Sequence, residues 1–449
     1  DQAEMISNLL DTVSNDLYSE SQRFIFELIQ NADDAASGNE NEMQFDFHSD
    51  CLIISHNGRP FDETDIKAIT HAGKGTKESD QSKTGYKGIG FKSLFGKSDK
   101  VHVFSNGYNF RFDRKFIKQS FNSVKMPWQI IPIWTDRNEL PGSSRTILSN
   151  SYNVCTVVEL KNTNGLINDL NELLSNGKIL LFLRRIKKIS VSVNGEHKLS
   201  IEKETIKKEM HFDEISILEN KTETSRWIVK IFENIPIDTE AQSELQQDEK
   251  TPDKLKKAKF TEISFAARIE KGRIKSLKGE DSLIFTYLPT KVFDFGFPFL
   301  VNGNFLTNAS REAFHEDRFW NQWLFKNIGI KIFEWLKMLS TSSYKYQILH
   351  LLPNRFNSVQ NELKIAFDRA LNEIVKTKAF IPNRNGELKL VSDILIDKTG
   401  LSEEIFISKT ALIKFINKVE NKNFDSDAFI HSNIELKGKL NNLGSISFD

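Results

Sequence analysis

The sequence predicts an α/β fold, helices layered on a mixed sheet, over residues 1–162. Three patterns carry that expectation. Residues 4–13 and 21–35 place apolar side chains at helical spacing. Residues 44–55 and 154–160 alternate or run apolar in the manner of strands. Between them, residues 101–105 and 108–112 flank Asn106-Gly107, and Asn-Gly suits the two-residue type I′ turn of a hairpin.

Taken in order, Met5, Ile6, Leu9, Leu10 and Val13 form the apolar stripe of the first helix. In the second, Ile25, Leu28, Ile29 and Ala32 supply the face that packs on a core. Glu27, Asn31 and Asp34 share the other side, within roughly 60° of one another. The strand over residues 44–55 enters a turn at His56-Asn57-Gly58, and Val154, Thr156, Val158 and Leu160 alternate in a later strand. A Leu-rich helical stretch at 166–183 then runs into Arg184-Arg185-Ile186-Lys187-Lys188. That basic run reads as a solvated helix end favoured by the macrodipole rather than as a nucleic-acid contact. Residues 236–259 are polar and read as a loop or mobile insertion. Strand patterns resume at Ile263, Phe265 and Ala267, and again at Leu283, Phe285 and Tyr287. After Arg318, the residues Trp320, Trp323, Leu324, Ile328, Ile332 and Trp335 are spaced for the buried face of a helix. The tail from about residue 378 mixes turns with short apolar runs.

At 449 residues the chain exceeds a single core, and two or three domains are expected. The 61 basic and 61 acidic side chains cancel, so no global field argues for nucleic acid or membrane. A 39% hydrophobic content with 35 Phe excludes wholesale disorder. Cys51 and Cys155 sit in strand-like apolar runs and read as buried free thiols in a reducing compartment. No apolar run approaches the length of a membrane span, and no signal peptide opens the chain, so a cytoplasmic location is expected. The chain opens on Asp1 rather than Met, which leaves room for a trimmed targeting segment.

The chemistry concentrates in two runs. Residues 27–35 read Glu-Leu-Ile-Gln-Asn-Ala-Asp-Asp-Ala, and residues 85–93 read Gly-Tyr-Lys-Gly-Ile-Gly-Phe-Lys-Ser. The second is a glycine-rich turn entering a helix, a geometry that aims backbone N–H groups and a positive helix terminus at a phosphate. A base and an amide ligand for Mg²⁺ on one helix, facing a phosphate cradle, describe a nucleotide triphosphatase site.

In order and spacing these runs resemble the ATP-binding domain of the GHKL superfamily, which includes DNA gyrase, the ninety-kilodalton heat-shock chaperone, histidine kinases and MutL. The resemblance is closest to the heat-shock chaperone and to sacsin-like members. The family's helix motif, Glu-x-x-x-Asn-Ala-x-Asp-Ala, is matched in full by Glu27 to Ala35. Gly75-Thr76-Lys77, followed by Gly85 to Phe91, resembles the chaperone's lid and phosphate loop, with a shorter lid. The implied fold is a two-layer α/β (α+β) sandwich of GHKL, or Bergerat, type over residues 1–162. A middle α/β domain at 163–330 and a mainly helical region at 331–449 would follow it.

The resemblance implies ATP and Mg²⁺ as ligands. Glu27 would be the general base that polarises the attacking water, and the Asn31 amide oxygen a neutral ligand for Mg²⁺. Asp34 would support the lid or stand as a surface acid. Gly85, Gly88 and Gly90, with Ile89 and Phe91, would let the backbone approach phosphate oxygens, while Lys87 adds charge there or is solvated. Residues 73–84 hold no apolar side chain and read as the lid. Thr156 matches the threonine of the family's adenine water network, though alone it would be structural.

One departure stands out: the family has Asp-x-Gly where this chain has His56-Asn57-Gly58. That Asp accepts from the adenine amino group, and here a neutral His56 or the Asn57 carbonyl would have to do so. Farther on, Asn308-Ala309-Ser310-Arg311-Glu312 resembles the chaperone's middle-domain loop, which would make Arg311 a γ-phosphate contact.

The leading expectation is therefore a sacsin-like, chaperone-type ATPase with a slow lid-gated cycle, acting on a protein client or effector, with a homodimer as one assembly. The alternatives are the ATPase or sensor part of a bacterial antiviral defence protein acting with a nuclease or other effector, and a nucleotide-binding scaffold with little turnover. A histidine kinase is disfavoured because no His lies in an obvious dimerisation helix. Gyrase and MutL roles lack a basic footprint.

Overall fold

The computed structural model describes residues 2–16, 21–38, 41–70, 90–121, 125–142, 152–160, 164–249, 251, 253–292, 295–308, 313–353 and 361–448. The fold is mixed α/β, and the chain divides into two compact units. The first comprises residues 1–206, 215–225 and 246–259; the second comprises 207–214, 226–245 and 260–449.

In the first unit the helices are α1 (Gln2–Asp16), α2 (Ser21–Ala35), α3 (Glu63–Thr70), α4 (Arg114–Ser120) and α5 (Asn164–Leu174). Its strands are β1 (Asn41–Phe47), β2 (Cys51–His56), β3 (Lys100–Ser105), β4 (Tyr108–Asp113), β5 (Ile133–Trp134), β6 (Val154–Glu159), β7 (Ile186–Val193) and β8 (Glu196–Lys208). They pair in the order β8-β7-β1-β2-β6-β3-β4-β5. Every neighbour is antiparallel except β1 and β7, which run parallel with Phe45 beside Val191. The hairpin forms as its turn residues require, with Asn106 and Gly107 both at positive φ, 45° and 83°.

Register sorts the side chains of this sheet onto two faces. Phe45, Ile54, Thr156, Val103 and Phe110 lie in one cross-strand row. Phe47, Leu52, Val158, Val101 and Phe112 form the next row of the same face, and Met43, His56 and Val154 the row on the other side. The layer above this face includes the 3-10 helix Gly90–Gly96, whose Phe95 ring meets Phe112 at 5.1 Å and Trp128 at 5.0 Å. Helix α2 packs beside that 3-10 helix and against β1, burying Phe24, Ile25, Leu28, Ile29 and Ala32. The opposite face carries Cys51, Ile53, Cys155, Val157 and Phe104 under Leu140. Cys51 pairs with Glu159 and Cys155 with Ser55, so the two thiols stand four residues apart along the ladder. That is about 13 Å, well beyond disulfide reach.

In the second unit, residues 226–236 of the strand Thr222–Pro236 pair with Phe260–Glu270, which pairs in turn with Leu300–Gly303 and Arg273–Lys275. Helix Phe319–Leu339 buries Trp320, Trp323, Leu324, Ile328, Ile332 and Trp335, the face its spacing predicts.

Several sequence expectations need correction. The basic run at 184–188 does not end a helix. Helix α5 stops at Leu174, a 3-10 segment covers Ser175–Leu181, and Ile186 opens β7, whose alternating Ile189, Val191 and Val193 are the strand signal. Residues 236–259 contain helices Thr239–Gln247 and Asp253–Lys256, held by buried Ala241, Leu245 and Leu255. The region after Leu339 is less helical than expected: helices Glu362–Ile374 and Lys409–Glu420 share it with two-stranded sheets of Ile381–Pro382 with Leu388–Lys389 and Leu395–Asp397 with Ile446–Phe448.

Candidate functional site

Helix α2 carries the candidate acids and amide. Glu27 and Asn31 are half-buried, whereas Asp34 is 6% exposed, so it is no surface acid. The residue between them in the motif was not singled out by spacing. Asp33 is 4% exposed, and its carboxylate accepts three consecutive backbone N–H bonds, from Arg184 (3.0 Å), Arg185 (2.8 Å) and Ile186 (2.8 Å). These are charge-assisted bonds that bolt the last turns of α2 to the start of β7. The Lys203 ammonium donates to the carbonyls of Leu180 and Leu183 in the same segment, and burial pushes its pKa down to about 8 despite the attraction of Asp33. No sequence spacing announces these partners.

Strand β2 delivers His56-Asn57-Gly58 to the C-terminal end of α2. Arg59 N–H donates to Ala35 O at 2.6 Å. Gly58 lies so close that a Cβ would stand 2.8 Å from that same oxygen, which only glycine avoids. Asn57 acts as a clamp rather than a free reader. Its side-chain oxygen accepts from Glu42 N–H at 2.8 Å, and Asn153 Nδ2 donates to the Asn57 and Gly58 carbonyls at 3.0 Å each. His56 is half-buried, its Nδ1 accepts from Gly58 N–H at 3.3 Å, and burial pushes its pKa from 6.5 to about 4. Thr156, 6% exposed, lies on the same sheet face one row away, opposite Ile54.

Gly90 opens the 3-10 helix Gly90–Gly96, and Phe91 packs on Phe95 at 5.9 Å and on Phe112 at 6.0 Å. Lys92, also not singled out beforehand, is 3% exposed in this helix, and burial lowers its pKa. Gly75, Thr76, Lys77, Gly85, Lys87, Gly88, Ile89 and Arg311 lie outside the described residues. Among the described candidates, Glu27, Asn31 and Asp34 share α2, His56 and Thr156 lie on one face of the sheet, and Gly90 and Phe91 belong to the 3-10 helix packed beside α2.

The lowered His56 pKa has a signed consequence. The folded state holds the imidazole neutral, so its contribution to stability is complete above pH 6.5 and is lost as pH falls toward about 4. The amount is at most about 3 kcal/mol. Urea unfolding should show wild type losing more stability between pH 7 and pH 4.5 than His56→Asn, which has no imidazole to charge. Parallel losses in the two proteins would show that the ring is not held neutral.

Residues 3–125 match the family model described as a Sacsin domain. That stretch is similar to a Sacsin domain. Over 332 residues, 71% of its length, it is 28% identical to Protein NO VEIN of Arabidopsis thaliana, and over 115 residues, 22% of its length, it is 31% identical to sacsin of Homo sapiens. The matched stretches span 11% of NO VEIN and 2% of sacsin. The Sacsin-domain match takes in α2, β2 and the 3-10 helix Gly90–Gly96, and so most of the candidate site, while Thr156 and the Asp33 partners fall outside it. Among the described residues no helix is long and apolar enough to cross a membrane.

Proposed function

We propose that the first unit binds a Mg²⁺-complexed nucleoside triphosphate, ATP foremost, and hydrolyses it slowly to ADP and phosphate. The observation that supports this reading is the placement of a half-buried carboxylate, Glu27, and a half-buried amide, Asn31, one helical turn apart, above a sheet face that carries His56 and Thr156. Glu27 would orient a water and accept its proton as the water oxygen attacks the terminal phosphorus. The amide oxygen of Asn31 would contribute one ligand to the metal. Among the described residues no cluster of three or more His, Cys, Asp or Glu could hold an ion unaided. That donor set suits Mg²⁺ arriving with the nucleotide, since the ion keeps waters and phosphate oxygens as most of its ligands. Bound there, Mg²⁺ would supply neutralisation of phosphate charge. His56 and Thr156 would face the base, and Gly90 and Phe91 the phosphate side.

Calorimetric titration with Mg-ATP tests the reading. Wild type should bind, and Asn31→Ala or metal chelation should weaken binding at least about tenfold, the loss of one charge-assisted ligand. Equal affinity in Asn31→Ala would remove the metal role. A wild type that binds no triphosphate at all would overturn the proposal. Binding without phosphate release would make the unit a nucleotide-gated scaffold.

A further inference from the structure

We infer that His56 reads the base as a hydrogen-bond donor, so that the site recognises a purine through an acceptor on its ring edge and not through an exocyclic amine. The inference rests on the nucleotide reading above and specifies how that site selects its ligand.

The argument is one of proton placement. A backbone N–H can only donate, so the bond from Gly58 to His56 Nδ1, at 3.3 Å, makes Nδ1 the nitrogen with the lone pair. The ring is neutral near pH 7, because burial disfavours its charged form. A neutral imidazole has one proton, and it must then lie on Nε2.

The loop cannot swing to release Nδ1, because its neighbours are fixed on both sides. Asn57 is tied to Glu42, Asn153 holds the carbonyls of residues 57 and 58, and Gly58 is wedged against Ala35 O with Arg59 N–H bonded to the same oxygen. The other side-chain acceptor of the triplet, the Asn57 oxygen, is already engaged by Glu42 N–H. Turning the imidazole over would set a carbon against the Gly58 N–H and lose that bond. The polar edge left for a ligand is Nε2–H, a donor. It complements N1 of adenine or of unsubstituted purine and offers nothing to an amine.

Competition binding with four probes in the presence of Mg²⁺ tests this on the full chain: ATP, purine riboside triphosphate, which lacks the amine, 1-deaza-ATP, which keeps the amine but lacks the N1 acceptor, and CTP as a non-purine control. Wild type should bind purine riboside triphosphate within threefold of ATP and 1-deaza-ATP at least tenfold more weakly, the expected cost of leaving a donor unpaired. His56→Asp should reverse the pattern, because its carboxylate can still accept from Gly58 N–H yet presents an acceptor to the base. In that variant the amine should become the required group, with purine riboside triphosphate falling at least tenfold behind ATP. A melting curve matching wild type guards against a folding defect, and His56→Asn, whose oxygen would serve the Gly58 N–H while its amide nitrogen donates, should keep the wild-type preference.

A wild type that loses tenfold on removal of the amine, or that binds 1-deaza-ATP as well as ATP, would overturn donor readout while the nucleotide reading stands. Failure to bind any of the four would defeat both.

Discussion

Replacing Glu27 by glutamine is expected to lower nucleoside triphosphate hydrolysis by about 10²–10⁴-fold while leaving nucleotide affinity within a few-fold of wild type. Glutamine keeps the size and the helix propensity of the side chain, so α2 should fold unchanged. It cannot take a proton from water at neutral pH, so the step that the carboxylate serves is lost. Ground-state contacts to the base, the phosphates and the metal come from other residues and should persist, which separates kcat from binding. Single-turnover phosphate release alongside calorimetry measures both quantities. Unchanged turnover in Glu27→Gln would remove Glu27 from the chemistry, and a parallel loss of affinity would recast it as a binding residue.

The second large effect concerns Asp33. Asp33→Ala should cost the first unit about 3 kcal/mol, because three backbone N–H donors, one buried and two partly so, lose a charged acceptor at once. With about 2–4 °C per kcal/mol for a unit of this size, the melting temperature should drop by roughly 6–12 °C. Asp33→Asn should fall between alanine and wild type. Its remaining oxygen can serve Arg185 and Ile186, which share Oδ1, while its amide nitrogen opposes the Arg184 N–H. Differential scanning calorimetry distinguishes these outcomes. A shift under about 2 °C for alanine would mean that the three bonds are replaced by water at little cost, and that α2 is held by its apolar face alone.

What could be read from the sequence was local. The apolar stripe of α2, the strand leading into His56 and the Asn106-Gly107 turn each depend on neighbours a few residues away, and each appears where periodicity places it. The Glu27, Asn31 and Asp34 spacing was legible for the same reason, but the burial of Asp34 was not. What escaped depends on distant partners. Asp33 looks like one more acid in an acidic motif until residues 184–186 close on it. The basic run misled because its charges suited a helix end, while the alternating Ile189, Val191 and Val193 that follow it already favoured a strand. Asn57 had been credited with a reading role, and only the register of β1 beside β2 shows that Glu42 N–H engages its side-chain oxygen. The tautomer of His56 likewise follows from a backbone direction two residues on, which composition does not encode.

The parallel pairing of β1 with β7 has a consequence for how the chain is made. Strands β1 and β2 can zip together as soon as both have left the ribosome, but the outer edge of β1 and the Asp33 carboxylate must wait for partners that lie 151 to 153 residues later for Asp33. At about 5–20 residues per second, the nascent chain holds that edge open for roughly 8–30 s. An open edge of this kind is a template for wrong pairing, and charged side chains within it discourage that. The charged side chains within β1 are Glu42 and Asp46. During that interval the helix bearing Glu27 and Asn31 is already synthesised but not yet tethered, so the candidate site comes into being only when translation has passed β7.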